Sequence, residues 1–173
     1  LGLVNYPVIQ RTTTQKSGLE FIEAATHVPS GEQSYFMAPW GTDYFAAGYA
    51  LYVTGELTGI HLVDHNADLA SIIHQGGHLY VHPNAFHVFP HEWWEERLGS
   101  VHLSSAAPGV ISISDQPIVS PTTAGGIALG NGVEFLDYRI SYNPQTRDLV
   151  VTVWWRAARK LKEDYSVYIH VLD

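Results

Sequence analysis

Residues 34–65 read SYFMAPWGTDYFAAGYALYVTGELTGIHLVDH and change their hydrophobic period twice. Ser34 to Ala38 is a short apolar run, the pattern of a buried strand, and Pro39-Trp40-Gly41 stops it. Thr42 stands where a helix cap belongs, ahead of Phe45, Tyr49, Tyr52 and Val53, whose helical spacing gives one apolar face. The helix is predicted to run out near Gly55 or Gly59, and Ile60 to about Asp64 returns to a strand. Strand, helix and strand in so few residues predict a parallel crossover.

The alternation extends both ways. Upstream, GLEFIEAATHVP (18–29) places Leu19 and Ile22, with Phe21 and Ala25 near them, along one side of a short helix closed by Val28-Pro29. Downstream, Asp64 or Asn66 is predicted to cap a helix over ADLASIIHQ that ends at Gly76-Gly77. HLYVHP follows as a strand halted by Pro83, HEWWEERLG as a helix between Pro90 and Gly99, and VHLSSA from Val101 as a further strand. Together these predict a small three-layer α/β domain over residues 1–119, with a parallel, Rossmann-like sheet.

After Ser104 the chain grows dense in Pro, Gly, Ser and Thr, and residues 120–132, beginning Ser120-Pro121-Thr122-Thr123, are the linker candidate. From 133 to 173 the period is two. Leu136, Tyr138, Ile140 and Tyr142 share a face; after a turn at Asn143-Pro144, so do Leu149, Val151, Val153 and Trp155; YSVYIHV is a third strand. A single antiparallel sheet with one apolar face needs a second layer, so residues 133–173 are expected to be an incomplete β-sandwich segment.

Composition narrows the function. Over 173 residues the formal charge is −8 and no long uninterrupted Lys/Arg run occurs, which argues against nucleic acid and against an anionic membrane surface. The chain has no cysteine, so thiol chemistry and Cys-based zinc sites are excluded. Its longest apolar stretches are too short to span a bilayer, and its start lacks the basic-then-apolar order of a signal peptide.

HQGGHLYVHPNAFHVFPH (74–91) carries five histidines. In a strand His78 and His82 share a face, as do His61 and His65 on the preceding one, so with neighbouring strands His61, His78 and His82 are a candidate metal set. Against that stand the absence of H-E-x-x-H and of a carboxylate at a ligand spacing; the competing reading is separate, hydrogen-bonded histidines. The carboxyl ends of parallel strands, where such sheets place ligands, present Trp40 and Asp43, Asp64 and His65, and His82 as candidate binding residues. The competing reading makes Thr42, Asp43 and Asp64 helix caps and Trp40 a packing residue. Trp154, beside Thr152 and Arg156, is a further candidate for binding a glycan or docking a neighbouring domain. No G-x-S-x-G elbow or G-x-G-x-x-G turn is present, and GIALGNG (126–132) opens a strand rather than a helix, so no catalytic residue and no cofactor is assigned.

LVVTVWWRAARKLKEDYSVYIHVLD (149–173) resembles a β-sandwich module near the C-terminus of large bacterial membrane glycosyltransferases related to the protein mannosyltransferases and aminoarabinose transferases. Val151 to Ala157, Asp164-Tyr165 and Tyr168 to Asp173 carry the likeness. More loosely, VPSGEQSYFMAPWGTDYFAAGYALYV is similar to the extracytoplasmic α/β segment after the last membrane helix of such proteins, and LSSAAPGVISI to its exit. The resemblance implies an extracytoplasmic domain at the face of the cell membrane, partnered by the membrane-embedded part of the same polypeptide and by a glycan or polypeptide. The family's polyprenyl-phosphate sugar donor and membrane-proximal acidic residues have no counterpart here. An independent α/β enzyme and a histidine metal module are the alternatives.

Overall fold

The computed structural model describes residues 17–116, 126–130, 132–145, 147–159 and 161. The chain divides into two compact units, Leu1–Ile118 and Val119–Asp173.

In the first unit, helix α1 (Ser17–Thr26) precedes strand β1 (Ser34–Ala38). Helix α2 (Thr42–Tyr49) continues as a π-helical turn, Ala50–Thr54, and leads to β2 (His61–Asp64). Then come α3 (Leu69–His74), β3 (His78–Val81), α4 (Ala85–Val88), α5 (His91–Leu98), β4 (His102–Ala107) and β5 (Val110–Ser114). The sheet order is β2-β1-β3-β5-β4. β1 pairs in parallel with β2 and β3, while β5 pairs antiparallel with both β3 and β4.

The predicted all-parallel sheet is therefore corrected to a mixed one. Its single reversed strand, β5, comes from VISIS, whose serines and the preceding Pro108-Gly109 read as linker composition. Pro108-Gly109 is instead a hairpin turn, with Gly109 at φ 69°.

β1 is covered on both faces. Phe36 and Ala38 enter a core with Phe21 and Ala25 of α1, Ala47 and Ala50 of the second helix, and Leu62 and Tyr80. Met37, on the other side of the pleat, enters a core with Leu69, Leu79, Val81, Ala85, Trp94, Leu98 and Ile113. Each large side chain so buried contributes about 1.5–3 kcal/mol.

Several local expectations change. Gly41, not Thr42, is the N-cap of α2 and makes no side-chain cap bond, and Asp68, not Asn66 or Asp64, caps α3, accepting a hydrogen bond from the Ser71 amide at 3.0 Å. The stripe Phe45, Tyr49, Tyr52 and Val53 is exposed, between 58 and 76%, because the small residues Ala47 and Ala50 face the sheet. Leu19 also points outward, leaving Phe21, Ala24 and Ala25 as the buried side of α1.

The second unit contains β6 (Ile127–Ala128), β7 (Val133–Asn143) and β8 (Asp148–Ala157) in one antiparallel sheet of that order. β6 lies inside the predicted linker, and the predicted strand YSVYIHV lies outside the described residues. Tyr138, Ile140 and Tyr142 stand opposite Val153, Val151 and Leu149, the pairing that their alternation implies. A bulge between Phe135 and Asp137 then breaks the alternation, so that Phe135 rather than Leu136 faces Trp155, their rings 5.4 Å apart.

Candidate functional site

The strand order gives the first unit a topological switch point. From β1 the chain passes to β2 on one side, and from β3 it passes to the strands on the other, so the loops leaving β1 and β3 part company at their carboxyl ends. A crevice at such a parting is where open α/β sheets place ligands. Trp40, Gly41 and Asp43 follow β1, and His82 follows β3.

Gly41 makes the exit from β1 possible. Its φ of 126° and ψ of −145° belong to a region that side chains avoid, and a Cβ there would meet nothing within 4 Å, so the glycine serves backbone conformation and not space. The turn leaves Trp40 57% exposed, its ring stacked on Tyr44 at 5.0 Å and met edge-on by Phe45 at 5.2 Å. The Trp40 amide donates to Nδ1 of His65 at 3.3 Å, tying the β1 exit to the end of β2.

Asp43 and His82 interact at this edge of the sheet. Burial raises the Asp43 carboxyl above its ordinary value, and His82 opposes part of that rise. Burial likewise lowers the His82 imidazole, with Asp43 and Glu20 pulling the other way. The shared cause is partial desolvation, which disfavours the charged form of each group. His82 Nδ1 accepts the Asn84 amide at 3.2 Å, and its ring lies 5.4 Å from Phe21. A neutral His82 with Nδ1 so engaged carries its proton on Nε2.

Trp40, Asp43, His65 and His82 thus gather at one edge. Asp64 ends β2 but its Oδ1 accepts the Asn66 amide at 2.8 Å, the work of a turn residue. Trp154 lies in the second unit, half-buried, with the Arg139 guanidinium 5.8 Å from its ring centroid. Trp155, expected on the buried face, is the more exposed of the two.

The candidate metal set is corrected. β1 runs between β2 and β3, so His61 and His78 are not on neighbouring strands, and His82 lies at the opposite end of β3 from His78. His61 stacks on Tyr35 at 4.9 Å and has Nε2 2.9 Å from the Glu32 carbonyl oxygen. Among the described residues no three His, Cys, Asp or Glu side chains are grouped to hold a metal.

Sequence reasoning missed Tyr44, Phe45, Glu20 and Phe21 as companions of the crevice. The approach of α1 to α2 was invisible in the sequence: a Cβ on Gly18 would sit 3.3 Å from that of Ala46. It also missed a stack running from His65 through Phe89 (5.2 Å) and Trp93 (4.2 Å) to the Arg97 guanidinium (4.0 Å). Two shallow hollows, of about 500 Å³ beside Gly31 and His61 and about 340 Å³ beside Tyr35 and Gly77, lie at the opposite edge, where the strands begin.

From Ser17 to Glu96 the chain has ten Asp or Glu and no Lys or Arg. No family model, no curated protein and no solved structure matches this chain. Fold and residues define a mixed α/β unit with aromatic side chains and an acid–imidazole pair at its switch point, joined in sequence to an antiparallel sheet. Among the described residues no helix is long and apolar enough to cross a membrane.

Proposed function

We propose that this chain is a non-catalytic, extracytoplasmic part of a bacterial membrane-bound glycosyltransferase-like protein and that its switch-point crevice binds a saccharide of the acceptor. The parallel β2-β1-β3 core is then Rossmann-like in arrangement, and the second unit is part of a β-sandwich. One observation carries the reading: the exposed ring of Trp40, backed by Tyr44, leaves the same β1–α2 turn whose helix carries Asp43, and Asp43 interacts with His82 at the end of β3. An exposed indole stacks on the C–H face of a sugar, while a carboxyl group and an imidazole take its hydroxyls.

The test is saccharide binding by the whole chain, followed through the Trp40 indole resonance, with Trp40→Ala as the variant. A lost stack of about 0.5–1.5 kcal/mol lowers affinity about two- to twelvefold. Folding stability should change by no more than about 0.5 kcal/mol, since the side chain is largely in water. Equal binding by wild type and variant would remove the platform from the reading. The opposed shifts of Asp43 and His82 favour a second reading, acid–base chemistry at the same crevice. Turnover of a bound saccharide that disappears in Asp43→Asn would establish it, and binding without turnover would dismiss it.

A further inference from the structure

We infer that the carboxyl edge of the first sheet carries an acid-operated latch: whatever that edge binds, the His65 imidazole holds Trp40 and the exit of β1 while it is neutral, and lets go on taking a proton. The ladder between β1 and β2 ends at Ala38 and Asp64. One residue past Asp64 a side chain takes over from the backbone, and Nδ1 of His65 accepts the Trp40 amide at 3.3 Å. A neutral imidazole carries a proton on one ring nitrogen and a lone pair on the other, so an Nδ1 that accepts leaves the proton on Nε2. That lone pair is then the one place where a further proton can go. Protonation and the hold on Trp40 exclude each other, because the imidazolium turns N–H against N–H.

The surroundings of His65 leave this choice to the solvent proton. The ring is half-buried, faces the Trp40 backbone on one side and lies 5.2 Å from the uncharged ring of Phe89 in α4. Asp64, next to it in the chain, has Oδ1 on the Asn66 amide, and the Arg97 guanidinium of α5 lies beyond Trp93 in the stack. What the latch holds is a turn with little else to fix it. Gly41 follows at φ 126°, and once the amide is released the Trp40 indole rests on its ring contacts with Tyr44 at 5.0 Å and Phe45 at 5.2 Å. A hydrogen bond of this kind favours the held state about two- to twelvefold. The exit of β3 is built alike: His82, one residue past Val81, accepts the Asn84 amide on Nδ1 at 3.2 Å, with Asp43 of α2 and Glu20 of α1 as the charged groups acting on it.

Nuclear magnetic resonance of the nitrogen-labelled whole chain from about pH 8 to about pH 5 tests the latch. At the upper end the imidazole nitrogen shifts should show His65 with its proton on Nε2. As His65 takes its second proton, the Trp40 amide resonance is expected to move with the same midpoint, and its protection from solvent exchange, corrected for the intrinsic effect of pH, to fall about two- to twelvefold. His65→Phe keeps a ring against Phe89 and removes the acceptor. There the Trp40 amide should hold its acid-form position throughout, while the Asn84 amide still follows His82. A neutral His65 with its proton on Nδ1, or a wild-type Trp40 amide indifferent to pH, would overturn the latch, and so would a Trp40 amide that still titrates in His65→Phe. The first two measurements need no variant, so they decide even where that replacement fails to fold.

Discussion

Gly77→Ala should unsettle the first unit although it adds a single methyl group. A Cβ at Gly77 would lie 2.7 Å from Ile72 Cγ2, 2.7 Å from the Ile72 carbonyl oxygen and 3.0 Å from Tyr35 Cε2. The carbonyl cannot withdraw freely, because it accepts the Gly77 amide at 2.8 Å. Ile72 and Tyr35 are themselves packed against the core that holds Met37 and Trp94. Relief must therefore move the turn between α3 and β3, and overpacking of this kind costs about 1–3 kcal/mol. In a unit of this size each kcal/mol lowers the melting temperature by about 4–8 °C. Gly76, its neighbour, is constrained differently: φ is 85° and the nearest atom to a Cβ is 3.6 Å away. Asparagine tolerates that left-handed conformation better than alanine does. Thermal unfolding followed by near-ultraviolet circular dichroism should then give opposite orders at the two sites. Asn is milder than Ala at position 76, and Ala is milder than Asn at position 77. Gly77→Ala melting within about 2 °C of wild type would refute the steric argument.

Two other outcomes follow from the core and the crevice. Trp94 is fully buried, and its Nε1–H has no hydrogen-bond partner among the described residues. Trp94→Phe removes that unpaired donor while keeping much of the ring, so in urea unfolding it should cost less than the roughly 3–5 kcal/mol of Trp94→Ala; equal losses would contradict this. The crevice pair should act on stability in opposite senses as pH changes. His82, lowered by burial, contributes stability present above its unfolded value of 6.5 and lost as pH falls through its folded value. Asp43, raised by burial, contributes stability present below 3.8 and lost as pH rises through its folded value. Asp43→Asn should raise stability at neutral pH and, by removing a nearby anion, lower the His82 titration midpoint further. Histidine resonances followed against pH would expose an unmoved or raised midpoint.

What could be read in the sequence depended on whether local chemistry had one solution. SYFMA bounded by Pro39 had one, and β1 spans the expected Ser34–Ala38. Residues 44–55, YFAAGYALYVTG, had two, because they contain no charge and are apolar on every side. Helical spacing identified Phe45, Tyr49, Tyr52 and Val53 as one face. Which face met the sheet was decided by the size of Ala47 and Ala50, and no period reports that. The crevice was half legible for a similar reason. Trp40, Asp43, His65 and His82 follow from the rule that ligands sit at strand carboxyl ends, which needs only the strand limits. The metal set needed the strand order as well, and β1 took the middle place.

That middle place also sets a schedule. β1 leaves the ribosome before any strand it pairs with, and its partners become available only as His61 and then His78 are made. Until then SYFMA, uncharged and free of proline, is the kind of segment that pairs with other chains. A translational pause placed before His78 prolongs that interval, whereas one placed after Ser114 finds every strand of the first sheet already synthesised.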